Sequence, residues 1–125
     1  MYEVSASLVL YNTPARQVER VVNCFLAADL DSHLFLVNNS PFFAYAREFE
    51  NDRVTYTETG RNIGYGRAHN IAIRKILSRA KYHIVLNPDI HFSSGTIEKI
   101  FSFMEQNLDV AHAMPRIVYP DGEMQ

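Results

Sequence analysis

Apolar residues along this chain fall in short dense blocks, and the spacing within the blocks changes from one to the next. Glu3 to Tyr11 (EVSASLVLY) is a β-branched and aliphatic run that predicts a strand. Asn12-Thr13-Pro14 stops it, with Thr13 placed to cap a helix and Pro14 to be its first residue. Val18, Val21, Val22, Phe25 and Leu26 then share one helical face. His33 to Asn39 (HLFLVNN) predicts a second strand. Ser40-Pro41 opens a helix to about Glu50, with Phe42, Phe43, Ala46 and Phe49 inward. Arg53 to Glu58 (RVTYTE) alternates and predicts a third strand. Ala68, Ile71, Ala72, Lys75, Ile76 and Arg79 return to helical spacing, and Tyr82 to Asn87 (YHIVLN) predicts a fourth strand. Ser94-Gly95 start a last helix with Ile97, Ile100, Phe101 and Met104 inside, before the extended stretch Asp109 to Tyr119 (DVAHAMPRIVY).

Strands that alternate with helices, and that are apolar nearly throughout, imply a parallel sheet covered on both faces. The expected fold is α/β, a Rossmann-like, mostly parallel sheet flanked by helices, in one domain over residues 1–125. Composition narrows the function. Net charge is −2 with the two signs interspersed and no basic block, so a nucleic-acid surface is not indicated. The lone Cys24 lies among Val21, Val22, Phe25 and Leu26; it is expected to be a small buried residue, and one cysteine excludes a disulfide framework. The first residues carry an acid and no signal-peptide pattern, and no apolar run reaches membrane-spanning length. The expected setting is cytoplasmic, with the inner membrane face as an alternative.

Ligands of open α/β sheets bind beyond the carboxyl ends of the strands, where strand order reverses. That directs attention to Tyr11-Asn12, Asn38-Asn39-Ser40, Glu58 to Gly66 and Asn87-Pro88-Asp89. Asp89 follows a buried strand directly. A lone carboxylate there can hold a hard divalent cation whose other oxygens come from a ligand's phosphates, or it can simply cap a turn. His91, two residues on, faces the same side in extended chain. The loop GRNIGYGRAHN (Gly60 to Asn70) puts three glycines ahead of a helix, which serves either a tight turn or a close approach of a ligand to backbone. Gly64-x-Gly66-x-x-His69 lacks the third glycine of the dinucleotide fingerprint, and no Lys-Ser/Thr pair makes a P-loop. The five histidines lack zinc-binding spacing, and no serine sits in a nucleophile elbow.

SLVLYN, LVNNS, GRNIGYGRAHNIAI and YHIVLNPDI, in this order and spacing, resemble family 2 glycosyltransferases of the GT-A fold. The closing PRIVYPDGEMQ is similar to the segment that follows in rhamnosyltransferase-like members. The resemblance covers essentially the whole chain and implies the nucleotide-sugar-binding part of such an enzyme. Tyr11 would lie against the base, with Asn12 beside it. Asn38 stands where the family usually has an Asp that accepts the pyrimidine N3–H; its carbonyl can accept without charge. Asn62 and Gly64 match the family's Asn-x-Gly loop, and Asn70 its helix asparagine; His69 stands where arginine is frequent, with Arg67 nearby. Asn87-Pro88-Asp89 occupies the metal motif, so Asp89 is the expected ligand of Mn²⁺ or Mg²⁺.

The resemblance further implies inverting transfer, from a nucleotide-diphospho-sugar donor to a glycan acceptor, with rhamnose as the candidate sugar in polysaccharide biosynthesis. The family's catalytic base lies in the second half of its domain, and no segment of these 125 residues matches it. The chain alone is therefore expected to bind nucleotide weakly at best and to transfer no sugar. Ile117 to Tyr119, Pro120-Asp121-Gly122 and Glu123 to Gln125 predict a terminal hairpin, whose open edge is expected to favour self-association. Two other classes fit parts of the pattern. One is a non-catalytic nucleotide- or sugar-binding module of the same fold. The other, a sugar nucleotidyltransferase, would want a Gly-rich loop after the first strand, and YNTPARQV has no glycine.

Overall fold

Val4, Ala6, Leu8 and Leu10 pack to one side of the first strand, and Ser5, Ser7 and Val9 to the other; none of the seven is more than 5% exposed. A strand buried on both faces is the centre of a layered α/β fold. The computed structural model describes residues 1–41 and 45–125, the side chain of Tyr45 excepted. Its elements run β1 (Tyr2–Leu10), α1 (Ala15–Leu26), β2 (Ser32–Asn38), a 3-10 helix (Tyr45–Phe49), β3 (Val54–Glu58), α2 (Tyr65–Ile76), β4 (Ala80–Leu86) and α3 (Thr96–Gln106). The sheet order is β3-β2-β1-β4, and every pair is parallel. Strand order therefore reverses at β1, which has β2 on one side and β4 on the other.

One core joins the sheet to α1, the 3-10 helix and α3 through Val18, Phe25, Ala46 and Ile97. The other joins Val9, Phe35 and Val37 to Ala68, Ala72 and Ile76 of α2. Burying each large side chain is worth about 1.5–3 kcal/mol, so these two layers hold the strand ends in place. Among the described residues no helix is long and apolar enough to cross a membrane.

Several local expectations shift. Pro14, not Thr13, is the N-cap of α1, and no side chain caps it. The Thr13 hydroxyl instead accepts the Tyr11 N–H at 3.1 Å, closing the turn after β1. The helix expected from Ser40 to Glu50 is a short 3-10 helix; Ala46 is buried and Phe49 packs on the core, while Phe42 and Phe43 lie outside the described residues. Arg79 is not helical, because α2 stops at Ile76 and Ser78 takes φ 66 to turn the chain into β4. Cys24 is half-buried. Asp109 to Tyr119 joins no strand of the sheet, and Met114, Ile117 and Tyr119 are exposed. The terminal hairpin does form: Val118 and Met124 bridge, and Tyr119 N–H donates to the Glu123 carbonyl at 2.7 Å.

Candidate functional site

All four strands end on one rim. Leu10, Asn38 and Glu58 stand level across β1, β2 and β3, and Leu86 of β4 stands level with Leu8. Tyr11-Asn12, Asn38-Asn39 and Asn87-Asp89 therefore leave adjacent strands side by side at the reversal point. Tyr11, Asn12, Asn62, Gly64, Asn87 and Asp89 are all exposed there, whereas Asn38 is buried.

The β1 and β2 exits are tied by backbone. Asn39 N–H donates to the Leu10 carbonyl at 2.7 Å, and Asn12 N–H donates to Ser40 Oγ at 2.7 Å. Asn12 takes φ 48, a left-handed conformation that asparagine tolerates better than most residues. Asn38 is 1% exposed. Its Oδ1 accepts the Ser40 N–H at 3.0 Å, and its Nδ2 donates to the Tyr56 hydroxyl at 3.0 Å. The Tyr56 hydroxyl donates in turn to Glu58 Oε1 at 2.9 Å. Burial first, and then that bond to the Glu58 carboxylate, push the Tyr56 phenol up to about 12. Asn38 is thus built into the wall of the site, with both amide ends engaged inside the chain.

Asn39 organises the glycine loop. It is 2% exposed; its Nδ2 donates to Asn62 Oδ1 at 2.9 Å, and its Oδ1 accepts the Ile63 N–H at 3.0 Å. Asn62 Oδ1 also accepts the Gly64 N–H at 2.9 Å, folding the loop on itself. The Thr59 hydroxyl lies near the Arg61 carbonyl (2.7 Å), the Asn38 carbonyl (3.1 Å) and Asn39 Oδ1 (3.2 Å), and its single hydrogen serves one at a time. Gly64 has φ 92 and ψ 152, a region essentially closed to other residues. It delivers the chain into α2 with no side-chain cap and no acid in the first turn.

On the β4 side the bonding is sparser. The Tyr65 hydroxyl donates to Asn87 Oδ1, and burial followed by the Asp89 carboxylate raises the Tyr65 phenol above its ordinary value. Beneath Tyr65 runs a chain of polar groups, buried except for the half-buried His83. Its ring meets the edge of His69 at 4.4 Å between centroids. His69 Nδ1 lies 2.7 Å from Ser7 Oγ, Ser7 Oγ lies 2.8 Å from His83 Nε2, and His83 Nδ1 lies 2.7 Å from Ser5 Oγ. Burial lowers His69; burial and neighbouring His69 bring His83 down to about 4. The rings are therefore neutral near pH 7, where a neutral imidazole offers one donor and one acceptor to such a chain.

Sequence reasoning passed over Asn39 as an organiser and this histidine–serine chain altogether. A signal for the latter was there: Ser5 and Ser7 alternate on one face of an otherwise apolar strand, and buried hydroxyls need partners. Among the described residues, no group of three or more His, Cys, Asp or Glu could hold a metal ion. Asp89 is a single exposed carboxylate, so its donor set fits a hard cation that takes most of its oxygens from a bound ligand. Two cavities of about 400 and 320 Å³ lie elsewhere, lined by Tyr2 and Arg79 near the opposite rim. They lie at the opposite end of the strands from the reversal point, where ligands of such sheets bind.

Comparison with known proteins agrees with this geometry. Residues 5–124 match the model of glycosyl transferase family 2. An uncharacterized glycosyltransferase of Methanocaldococcus jannaschii is 25% identical in an alignment 114 residues long that covers 86% of this chain and 39% of that protein. The structure of S. aureus TarS 1-349 superposes with a TM-score of 0.70 at 14% identity, over 85% of this chain and 33% of that one. A further S. aureus TarS structure gives the same score over 20% of its length. At that identity TarS speaks for the fold, a GT-A-like arrangement, and the chain spans well under half of each relative. The family match itself runs unbroken from β1 past all four strand ends and the glycine loop, and on it this chain belongs to glycosyl transferase family 2.

Proposed function

We propose that this chain forms the donor-binding part of a glycosyltransferase that moves a sugar from a nucleoside-diphospho-sugar to a glycan acceptor. The observation that supports it best is the rim itself, where four strand ends, a folded glycine loop and one exposed carboxylate stand together in a family 2 chain. The half-exposed ring of Tyr11, with Asn12 beside it, offers a stacking face for the base. Asn62 and Gly64 line the loop side. Uncapped N–H groups in the first turn of α2 suit an anionic diphosphate. Asn38 supports this wall from within, and Asn87 and Asp89 face the donor from β4.

Asp89 would hold Mn²⁺ or Mg²⁺, which when bound supplies positive charge opposite the departing diphosphate. Transfer is read as inverting. The acceptor hydroxyl forms a bond to the anomeric carbon, the bond from that carbon to the diphosphate oxygen breaks, and a carboxylate base takes the proton. No residue of this chain is assigned that base. Rhamnose is the sugar to test first, on the resemblance of the closing residues, and a cytoplasmic place of action belongs to the same proposal.

Calorimetric titration of the full-length protein with UDP, dTDP and GDP, each with and without Mn²⁺, tests the reading. One nucleotide should bind the wild type, about tenfold more tightly with the metal, a difference of about 1.4 kcal/mol. Asp89→Ala should keep the thermal midpoint and lose the metal effect. A wild type that binds none of the three would sink the donor-site reading; metal dependence that survives Asp89→Ala would sink the role given to Asp89. Incubation with dTDP-rhamnose and a glycan acceptor then decides the sugar.

A further inference from the structure

The exposed pair Asn87 and Asp89 is the least supported part of the rim, and one side chain from another element reaches it. Tyr65 is the first residue of α2, set directly after Gly64. It is 51% exposed, more than an aromatic placed for packing would be, yet its hydroxyl donates to Asn87 Oδ1. We propose that Tyr65 is a positioning residue of the donor site: it fixes the Asn87 side chain with Oδ1 turned toward the phenol and the amide N–H₂ left for the ligand. The proposal rests on the donor-site reading above and deepens it.

Three observations carry it. First, the ring of Tyr65 is braced. His69, one helical turn on, meets it edge-on at 4.4 Å, and His69 is itself 3% exposed and bonded through Nδ1 to Ser7 of the central strand. Ser7 is held by His83, and His83 by Ser5, so the support runs down into the sheet across β1 and β4. Second, the hydroxyl spans elements: it ties the start of α2 to the residue after β4, 22 positions later. Among the described residues, no other hydrogen bond joins the Asn87 side chain to the fold. Third, the polarity is informative. With its carbonyl oxygen serving the phenol, Asn87 meets a ligand as a hydrogen-bond donor, while Asp89 beside it can only accept or hold a cation. One donor and one acceptor, two residues apart, suit a diphosphate oxygen and its counter-ion better than two carboxylates would.

Side-chain amide NMR and calorimetry on the full-length protein test this together. Tyr65→Phe removes only the hydroxyl, and it should shift the Asn87 Nδ2 resonances in the ligand-free protein while leaving the thermal midpoint near the wild-type value. It should also weaken binding of whichever of UDP, dTDP or GDP binds with Mn²⁺ by about five- to tenfold, the usual scale of one hydrogen bond. In an Asn87→Ala background the same change should have no further effect, because the group it acts through is gone. His69→Phe, which keeps a ring but breaks the tie to Ser7, should weaken binding less than Tyr65→Phe. Unmoved Asn87 resonances overturn the proposal whether or not any nucleotide binds, and so does a Tyr65→Phe effect that persists undiminished in Asn87→Ala. If the wild type binds no nucleotide, the donor-site reading fails separately, and the resonances alone decide whether Tyr65 positions Asn87.

Discussion

The rim has two sides that meet at β1, and they are built differently. Toward β2 and β3, Asn38, Asn39 and Ser40 are all at most 4% exposed, and their polar groups are bonded to Tyr56, Asn62, Ile63 and Asn12. Toward β4, Asn87 and Asp89 stand exposed, with Tyr65 reaching across to one of them. The first side is a wall that folding assembles and that folding depends on. The second leaves the Asp89 carboxylate and the Asn87 amide N–H₂ to water or to a ligand. Asparagines of similar sequence setting therefore stand in opposite surroundings: Asn38 and Asn39, at the end of β2, are buried and bonded within the chain, and Asn87, after β4, is exposed.

Removing a wall residue should break this contrast most visibly. Asn39→Ala removes the acceptor of the Ile63 N–H and leaves Asn62 Oδ1 with the Gly64 N–H alone, and a loss of about 2 kcal/mol is expected. Urea denaturation beside Asp89→Ala measures it, since that exposed site should change stability by no more than about 0.5 kcal/mol. Equal costs at the two positions would show that both sides are built alike.

Acid probes the support beneath the β4 side. His83 is held down to about 4 in the folded chain and returns to an ordinary value near 6.5 on unfolding. The unfolded chain thus binds the extra proton between these values, so stability is complete above about pH 6.5 and falls as pH drops toward 4. His69, also lowered by burial, works in the same direction. After discounting for partial exposure, a loss of about 1 kcal/mol is expected at pH 5 relative to pH 7. His83→Gln should flatten that dependence; a profile equally steep in the variant would assign the loss to other groups.

Gly66 gives the smallest effect and the sharpest. It lies in the first turn of α2 with open space where a Cβ would stand. Gly66→Ala should therefore stabilise the fold by about 0.5 kcal/mol through the unfolded state. If the glycine is there to let a ligand approach, the same variant should weaken nucleotide binding. Greater stability with unchanged binding would leave Gly66 outside the site.

Much of this was legible in the sequence because parallel central strands must be apolar on both faces. β1 and β2 stand within a residue of their expected bounds, and their polar ends led directly to the rim. What escaped was pairing at a distance. Asn38 and Asn39 are the same residue in adjacent positions, and which of them clamps the loop depends on Asn62 and Ile63, more than twenty residues away. Ser7 finds His69 and His83 at separations of 62 and 76, beyond any periodicity. The apolar residues of Asp109 to Tyr119 suggested order, but extended chain becomes a strand only when a neighbour supplies hydrogen bonds, and none of the sheet's strands does so.

The sheet order also sets a timetable. β1 meets β2 early in synthesis but gains its other neighbour only when β4 is made, 48 residues after Asn38 (86 minus 38). At ribosomal speeds of about 5–20 residues per second that is an interval of roughly 2–10 s. Through it β1 carries a bare edge, of the kind that invites pairing with another chain. Any factor that shields β1 on the ribosome has those seconds in which to act.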